Sequence, residues 1–358
     1  MNFQTCLSRR TFVTNGLVAA GLAGTGLPGD AAVTTVSTMN GPAPCDSLGT
    51  TLIHEHILWF GGPRLTDAGY TPIPAELQSE SVEFAVSLLN DAARVGINTL
   101  VDLTPHRPIA LYQQIAKKTP VKIIPSTGFY RRHKIPKWMA DIEDEKQMED
   151  HMLKEVTEGI DGTSVRAGII KVASEGTPLT DWEKKVFRAA AQVQKATGVA
   201  IATHSGSASA GEQFDLLVRA GGNPHRVVLS HVDVGATGRT DRLERLLSIV
   251  KNGGYLEVDT FGQEFYTPWS DLTSFLRHFS DAGFANRLFI SVDCNWHWEN
   301  GKKIFEGAEA PTPDPNASKR TYAYMMTDAV PKLLRSGFSK KEVDTFLVDN
   351  PRRFFCNL

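Results

Sequence analysis

Four histidines, an aspartate and a lysine fall where short apolar runs end, and their types suit metal chemistry. The run Thr51-Leu52-Ile53 leads into His54-Glu55-His56. Gly168-Ile169-Ile170-Lys171-Val172-Ala173 carries a lysine among apolar neighbours, and three further runs end at His204, His231 and Asp293. In a strand, positions i and i+2 share a face, so His54 and His56 aim the same way. Imidazole and carboxylate are ligands for zinc and similar divalent ions. One histidine at a strand end is more often hydrogen-bonded than metal-bound. The joint pattern, spread over several strands, makes a metal site the better reading. Lys171 is the odd member. Burial of an ammonium is costly, so its pKa should fall. A neutral amine can capture carbon dioxide, and the resulting carbamate has two oxygens with which to bridge two metals. The plainer alternative is a lysine paired with Asp293 or Glu175.

These residues need elements that bring them to one place. Apolar runs recur at 51–53, 97–103, 121–125, 167–173, 199–203, 227–230, 255–258 and 288–292. Near-continuous apolar strands indicate burial on both faces, as in parallel sheets. Amphipathic segments such as 81–95, 181–197 and 239–250 lie between them. Strand-helix alternation repeated in this way predicts a (β/α)8 TIM barrel, an α/β fold whose catalytic residues sit at the C-terminal face. The metal centre belongs there. Residues 33–46 predict a short N-terminal hairpin or plug. Helices are expected at 320–337 and 340–348, with Asn350-Pro351 breaking the last. Two long loops, 129–143 and 294–318, should lie at the active face. No Gly-x-Gly-x-x-Gly turn follows the first strand, which counts against a dinucleotide site.

The pattern resembles the phosphotriesterase-like group of the amidohydrolase superfamily. His54-x-His56, Lys171 in Gly-Ile-Ile-Lys-Val, His204, His231 and Asp293 match its motif. So do Gly211-Glu212-Gln213 and the closing Asp349-Asn350-Pro351-Arg352-Arg353-Phe354-Phe355. The resemblance covers nearly all the chain after about residue 33. It implies that Lys171 is N6-carboxylated from CO2 and bridges two divalent metals. It implies one metal held by His54, His56 and Asp293, and the other by His204 and His231. Zinc is the default; cobalt, manganese or iron suit the same ligands. The chemistry implied is attack by a hydroxide held between the metals, with Asp293 taking the proton.

The family hydrolyses phosphotriesters, lactones and some amides, so an ester, lactone, phosphotriester or amide of a small molecule is expected as substrate. Aromatic residues follow the strands, and Trp59, Phe129, Tyr130, Phe261 and Trp296 are candidates to line its pocket. Tyr130 could donate to a carbonyl oxygen. Lactonases of the family usually carry Arg near the start of the loop after the seventh strand. Thr260 aligns there, which weakens a lactonase assignment and favours the phosphotriesterase-related proteins, some of which cleave N-acyl amides. Phosphotriesterase activity is then a side reaction. Arg131-Arg132-His133 could meet an anionic substrate group or form a solvated basic turn. A non-catalytic metal-binding barrel is a remote alternative that the intact ligand set disfavours. A metal barrel of another class, such as a deaminase or isomerase, is disfavoured by the bridging-lysine strand.

The 358 residues carry a formal net charge of -2, which gives no basic footprint for nucleic acid. Ser8-Arg9-Arg10-Thr11-Phe12-Val13 precedes a mild apolar run at 16–27 and small residues near Ala31 and Ala32. This reads as a twin-arginine-type signal over 1–32, with one hydrolase domain over 33–358. A periplasmic or secreted protein without stable membrane insertion after cleavage is expected. Relatives are often dimers, so a homodimer is an expectation that no residue pattern here specifies. Cys6 would leave with the signal; Cys45, Cys294 and Cys356 are expected as free thiols. Arg9→Lys with Arg10→Lys should hold the protein in the cytoplasm on fractionation. Continued export would assign the general secretory route instead.

Overall fold

The computed structural model describes residues 34–358 except 59, 64–71, 309–313, 315 and 357–358. The expected signal at 1–32, and Trp59, lie outside the described residues. Each of the eight apolar runs forms a strand: β1 (Thr51–Glu55), β2 (Thr99–Asp102), β3 (Lys122–Phe129), β4 (Ile169–Ala173), β5 (Ala200–His204), β6 (Val227–Ser230), β7 (Tyr255–Val258) and β8 (Leu288–Ile290). Their spatial order follows the chain, and every paired neighbour is parallel. Parallel neighbours need crossovers, and helices supply them. Ala75–Arg94, Ile109–Ala116, Glu145–Thr157, Asp181–Thr197, Gly206–Arg219, Thr240–Lys251 and Trp269–Phe279 each lie between successive strands. This is the (β/α)8 barrel. Among the described residues no helix is long and apolar enough to cross a membrane.

Apolar side chains form two buried layers. Ile53, Val101, Ile124, Ile169, Ala202, Val228 and Phe289 belong to the inner cluster. Leu52, Leu100, Ile123, Ile170, Ile201 and Leu229, their strand neighbours, pack outward against the helices. Alternation along each strand separates the two sets.

The first strand departs from strict alternation. Its pairing with β2 shifts register between Leu52 and Glu55, an irregularity that re-aims side chains. Ile53 therefore joins the inner cluster although His54, the next residue, reaches the polar centre. The same segment closes the ring against β8 through side chains. Ser291 Oγ accepts from Ile53 N and His54 N at 2.9 and 3.0 Å. The Glu55 carboxylate accepts from Val292 N and Cys294 N at 3.0 and 2.7 Å. Burial pushes the Glu55 carboxyl well up, and those two N–H donors oppose the shift.

The floor of the barrel sharpens one expectation and corrects two others. Residues 33–46 do hold a hairpin, Thr35–Thr38 against Gly41–Pro44. Val36 joins Phe354 and Phe355 of the last helix, Asn350–Cys356, in the inner cluster. This brings Cys45 beside Cys356, with Cα atoms 5.9 Å apart, and the two form a disulfide. The expected free thiols are thus corrected for Cys45 and Cys356; only Cys294, which is buried, is free among the described cysteines. A separation of 311 residues hides the pairing from any local reading. Asn350-Pro351 does not break the final helix either. A wide turn at Thr345–Asp349 precedes it, and Pro351 sits at the start of Asn350–Cys356, where no N–H is needed. Asn350 Nδ2 donates to Ala285 O and Leu288 O, fixing that start to the end of the barrel.

The loop at 294–318 has strands of its own. Trp296–Glu299 and Lys302–Phe305 form a hairpin, and Phe60–Pro63 adds to it in parallel. Replacing Cys356 by Ser should destabilise the fold by about 2–4 kcal/mol. Urea midpoints should fall equally for C356S and for the reduced native chain. A midpoint insensitive to reductant would mean the bond contributes nothing.

Candidate metal centre

His54 lies in β1, Lys171 in β4, and His204 ends β5. His56, His231 and Asp293 follow β1, β6 and β8. His231 and Asp293 have φ of 58° and 51°, a left-handed conformation that costs about 1 kcal/mol or more outside glycine and concentrates at functional sites. Gly128 stands opposite Lys171 in the β3–β4 register. Its φ is 128°, and a Cβ there would lie 1.9 Å from the Lys171 carbonyl oxygen, so only glycine allows this approach.

The structure brings the six residues together. Asp293 Oδ1 is 3.2 Å from His56 Nε2 and 3.8 Å from His54 Nε2. Lys171 Nζ is 3.1 Å from His54 Nε2 and is wholly buried. The His231 ring lies 4.8 Å from that of His54 and 4.4 Å from that of His204.

Three of the imidazoles are held from behind. His54 Nδ1 lies 3.0 Å from Glu257 Oε2 and 2.9 Å from Asp259 Oδ2. His231 Nδ1 lies 2.8 Å from Asp259 Oδ1, and His56 Nδ1 lies 2.9 Å from Thr104 Oγ1. A carboxylate accepts, so Nδ1 of His54 and of His231 carries the proton and Nε2 is left as a ligand atom. Among the described residues His231 Nε2 is buried and has no hydrogen-bond partner. Each such orphan costs about 1–3 kcal/mol, and a cation satisfies it. The donor set therefore fits divalent metal. Ligand atoms of His54, His56 and Asp293 lie within 4.8 Å of one another, as do those of His54, His231 and Asp259. Because both Asp259 oxygens are engaged by Nδ1 atoms, Asp259 stands behind the imidazoles.

Charge is balanced within this core. Burial, then Lys171, lowers His54 to about 3. Burial lowers Lys171 against the pull of Glu257, Asp293 and Asp259. Burial opposes ionisation of Asp293, but His54, a hydrogen bond with His56, and His231 outweigh it and hold its carboxyl low. Burial likewise works against protonated His231, yet Asp259 overcomes it and raises the ring to about 9, so a cation at Nε2 would displace a proton there. Burial raises Glu257, opposed by the Ser230 hydroxyl and by Lys171.

Of the aromatic candidates, Tyr130 sits at the centre, buried with its ring 5.2 Å from that of His204. Phe129 is fully buried against His151 and Trp182, on the helix side of β3. Phe261 is buried against Trp269. Trp296 is buried against Phe84, with Nε1 donating to Ile57 O at 3.1 Å. These three complete the packing around the barrel and do not line the mouth, which corrects their expected role. Thr260 is buried as well, its hydroxyl donating to Asp233 Oδ2. Burial, then Asp259, raises the Asp233 carboxyl to about 7.

The basic cluster divides. Arg132 pairs with Glu143 and lies over the Trp182 ring, and His133 Nδ1 is 2.7 Å from Glu175 Oε1. Arg131 turns inward, with Nη2 2.7 Å from His204 Nε2. Glu257, Asp259 and Thr104 escaped the sequence reading. Glu257 carried the same signal as Lys171, an ionisable residue inside an apolar strand, and Asp259 follows it at i+2. Thr104 gave no signal, because its role depends on where His56 points.

The family model described as "Phosphotriesterase family" matches residues 34–355. The "Phosphotriesterase homology protein" of Escherichia coli (strain K12) is 29% identical over 315 residues, covering 87% of this chain and 99% of that protein. The "N-acetyltaurine hydrolase" of Tetraodon nigroviridis is 29% identical and covers 89% of this chain and 97% of that one. An organophosphorus hydrolase from Deinococcus radiodurans superposes with a TM-score of 0.77 at 31% identity, covering 92% of this chain and 99% of its own.

Asp259→Asn removes the charge behind two imidazoles. It should weaken metal retention by about 10–100-fold in chelator competition. Retention equal to the native protein would show that Asp259 does not orient the ligands.

Proposed function

The chain belongs to the phosphotriesterase family, and on that premise we propose that it is a metal-dependent hydrolase cleaving an amide or ester bond of a small acyl compound. The observation that carries this reading is the meeting of four imidazoles, Lys171 and Asp293 in one buried cluster, with His231 Nε2 left without a partner among the described residues. Two divalent cations, zinc by default, would acidify a water and polarise the scissile carbonyl. His54, His56 and Asp293 would hold one, His204 and His231 the other. Lys171, as a carbamate, would reach both. Its burial lowers the amine toward the neutral form that captures carbon dioxide. Asp293 accepts the proton from the attacking water and passes it outward. Burial raises the Tyr130 hydroxyl, so it stays protonated and can donate to the substrate oxygen.

Thr260 supports cleavage of an amide or open-chain ester over lactone opening, since no arginine stands at that position after β7. A relative named as an N-acetyltaurine hydrolase gives the same direction. Phosphotriesters are then slow substrates. Export is part of the proposal. Arg9-Arg10 supports it, and so does the Cys45–Cys356 disulfide, a bond favoured in oxidising compartments.

With zinc-loaded protein, kcat/KM over a panel of N-acyl amino compounds, aryl esters, γ- and δ-lactones and a paraoxon-like triester should be highest for an acyl amide or ester. Lactones or triesters leading the panel would overturn the reading. Lys171→Ala should lose metal and turnover together, and a short carboxylic acid in the buffer should partly restore both. Unchanged metal content would remove the bridging role. Asp293→Asn should keep much of the metal and lower kcat by about 10²–10⁴-fold, as expected for loss of a general base. An unchanged kcat would show that the proton leaves elsewhere.

A further inference from the structure

One imidazole of the four breaks the pattern. His54, His56 and His231 are engaged at Nδ1, whereas His204 is engaged at Nε2, by the Arg131 guanidinium at 2.7 Å. A guanidinium has only donors, so His204 Nε2 accepts and the ring proton sits on Nδ1. A cation on Nε2 would replace Arg131 there. A cation on Nδ1 would drive the proton to Nε2, and two donors would then face each other. In either case Arg131 must leave His204 when a cation arrives. The two positive charges also repel.

The Nη edge of the guanidinium, released from His204, needs a new acceptor. Arg131 Nε lies 3.6 Å from Glu175 Oε2 and is buried without a hydrogen bond. Glu175 already has a second partner in His133 at 2.7 Å, so it stays paired if Arg131 turns elsewhere. Arg131 also lies over the Tyr130 ring at 5.8 Å, which sets it beside the residue proposed to meet the scissile oxygen. Its neighbours Arg132 and His133 are committed to Glu143 and Glu175.

We infer that Arg131 receives an anionic group of the substrate, which is an acyl compound bearing a carboxylate or sulfonate a few bonds from the scissile carbonyl. This rests on the hydrolase reading above and narrows it. The planar fork of arginine matches two oxygens of either anion. A neutral substrate leaves the Nη edge without the acceptor it had in His204, and sites built for a polar group discriminate strongly against its absence.

The test uses the full zinc-loaded chain and two matched pairs. N-acetyl-β-alanine is compared with its primary amide, and N-acetyl-2-aminoethanesulfonate with N-acetylethanolamine. The native protein should favour an anionic member by 100-fold or more in kcat/KM. Which pair shows the larger ratio assigns carboxylate or sulfonate. Arg131→Gln should lose at least 100-fold on that anionic substrate, chiefly through KM, and at least tenfold less than that on an aryl acetate. Arg131→Lys should recover part of the loss. A second readout needs no turnover. Cobalt added to metal-free protein should bind its weaker equivalent about tenfold tighter in Arg131→Gln, because no guanidinium has to be displaced. Efficient turnover of the neutral members, or equal losses on anionic and neutral substrates, overturns the inference and leaves the hydrolase reading intact. No turnover of any member, with unchanged cobalt affinity, removes both.

Discussion

Asp259 is the point on which the centre hangs. Its two oxygens take one Nδ1 each, from His54 and from His231, and so fix two rings that come from strands far apart in sequence. Without that hold, the His231 ring could turn about its Cβ and offer the wrong nitrogen, and His54 would be left to Glu257 alone. The carboxylate itself is wholly buried, which no apolar barrel tolerates without compensation. The compensation is collective. Lys171, Glu257, Asp293 and the imidazoles lie close enough that each ionisation state depends on its neighbours. A lone member of this set would be expelled or neutralised; together they make a polar core inside an apolar wall.

The wall is closed where β1 meets β8, and there the chain uses side chains in place of a regular ladder. Ser291 and Glu55 serve backbone donors on opposite sides of the join. The arrangement follows from the irregularity in β1. That irregularity carries His54 inward immediately after Ile53, and the N–H groups it leaves without a strand partner find the Ser291 hydroxyl. Placement of the first ligand and closure of the ring are therefore one local solution, shared between β1 and the residues that follow β8.

Much of this was legible in the residues. Apolar runs located the strands because a parallel sheet covered on both faces leaves little room for polar residues, and the ligands stood out as exceptions at strand ends. Lys171 was visible for the same reason. The sequence misled where two environments share one composition. Phe129, Phe261 and Trp296 follow or end strands, as pocket residues do, yet each turns into the packing between strands and helices. An aromatic ring suits both places, and only the rotation of the backbone decides. Thr104 and the Cys45–Cys356 pair were invisible because each depends on a partner that folding alone brings near. The basic run at Arg131 was readable as charge but not as three separate fates.

The disulfide on the barrel floor gives the molecule an unusual connectivity. From Cys45 to Cys356 the covalent path is a ring, with only short tails outside it among the described residues. A single cut in any loop of that ring opens the path without releasing a fragment, and the two pieces stay joined as one species until the bond is reduced. Force applied to the two ends likewise runs through two sulfur atoms and bypasses every strand of the barrel. The barrel is thereby insulated from tension along its own chain, and a nicked surface loop need not separate the strands that carry His54 and Asp293.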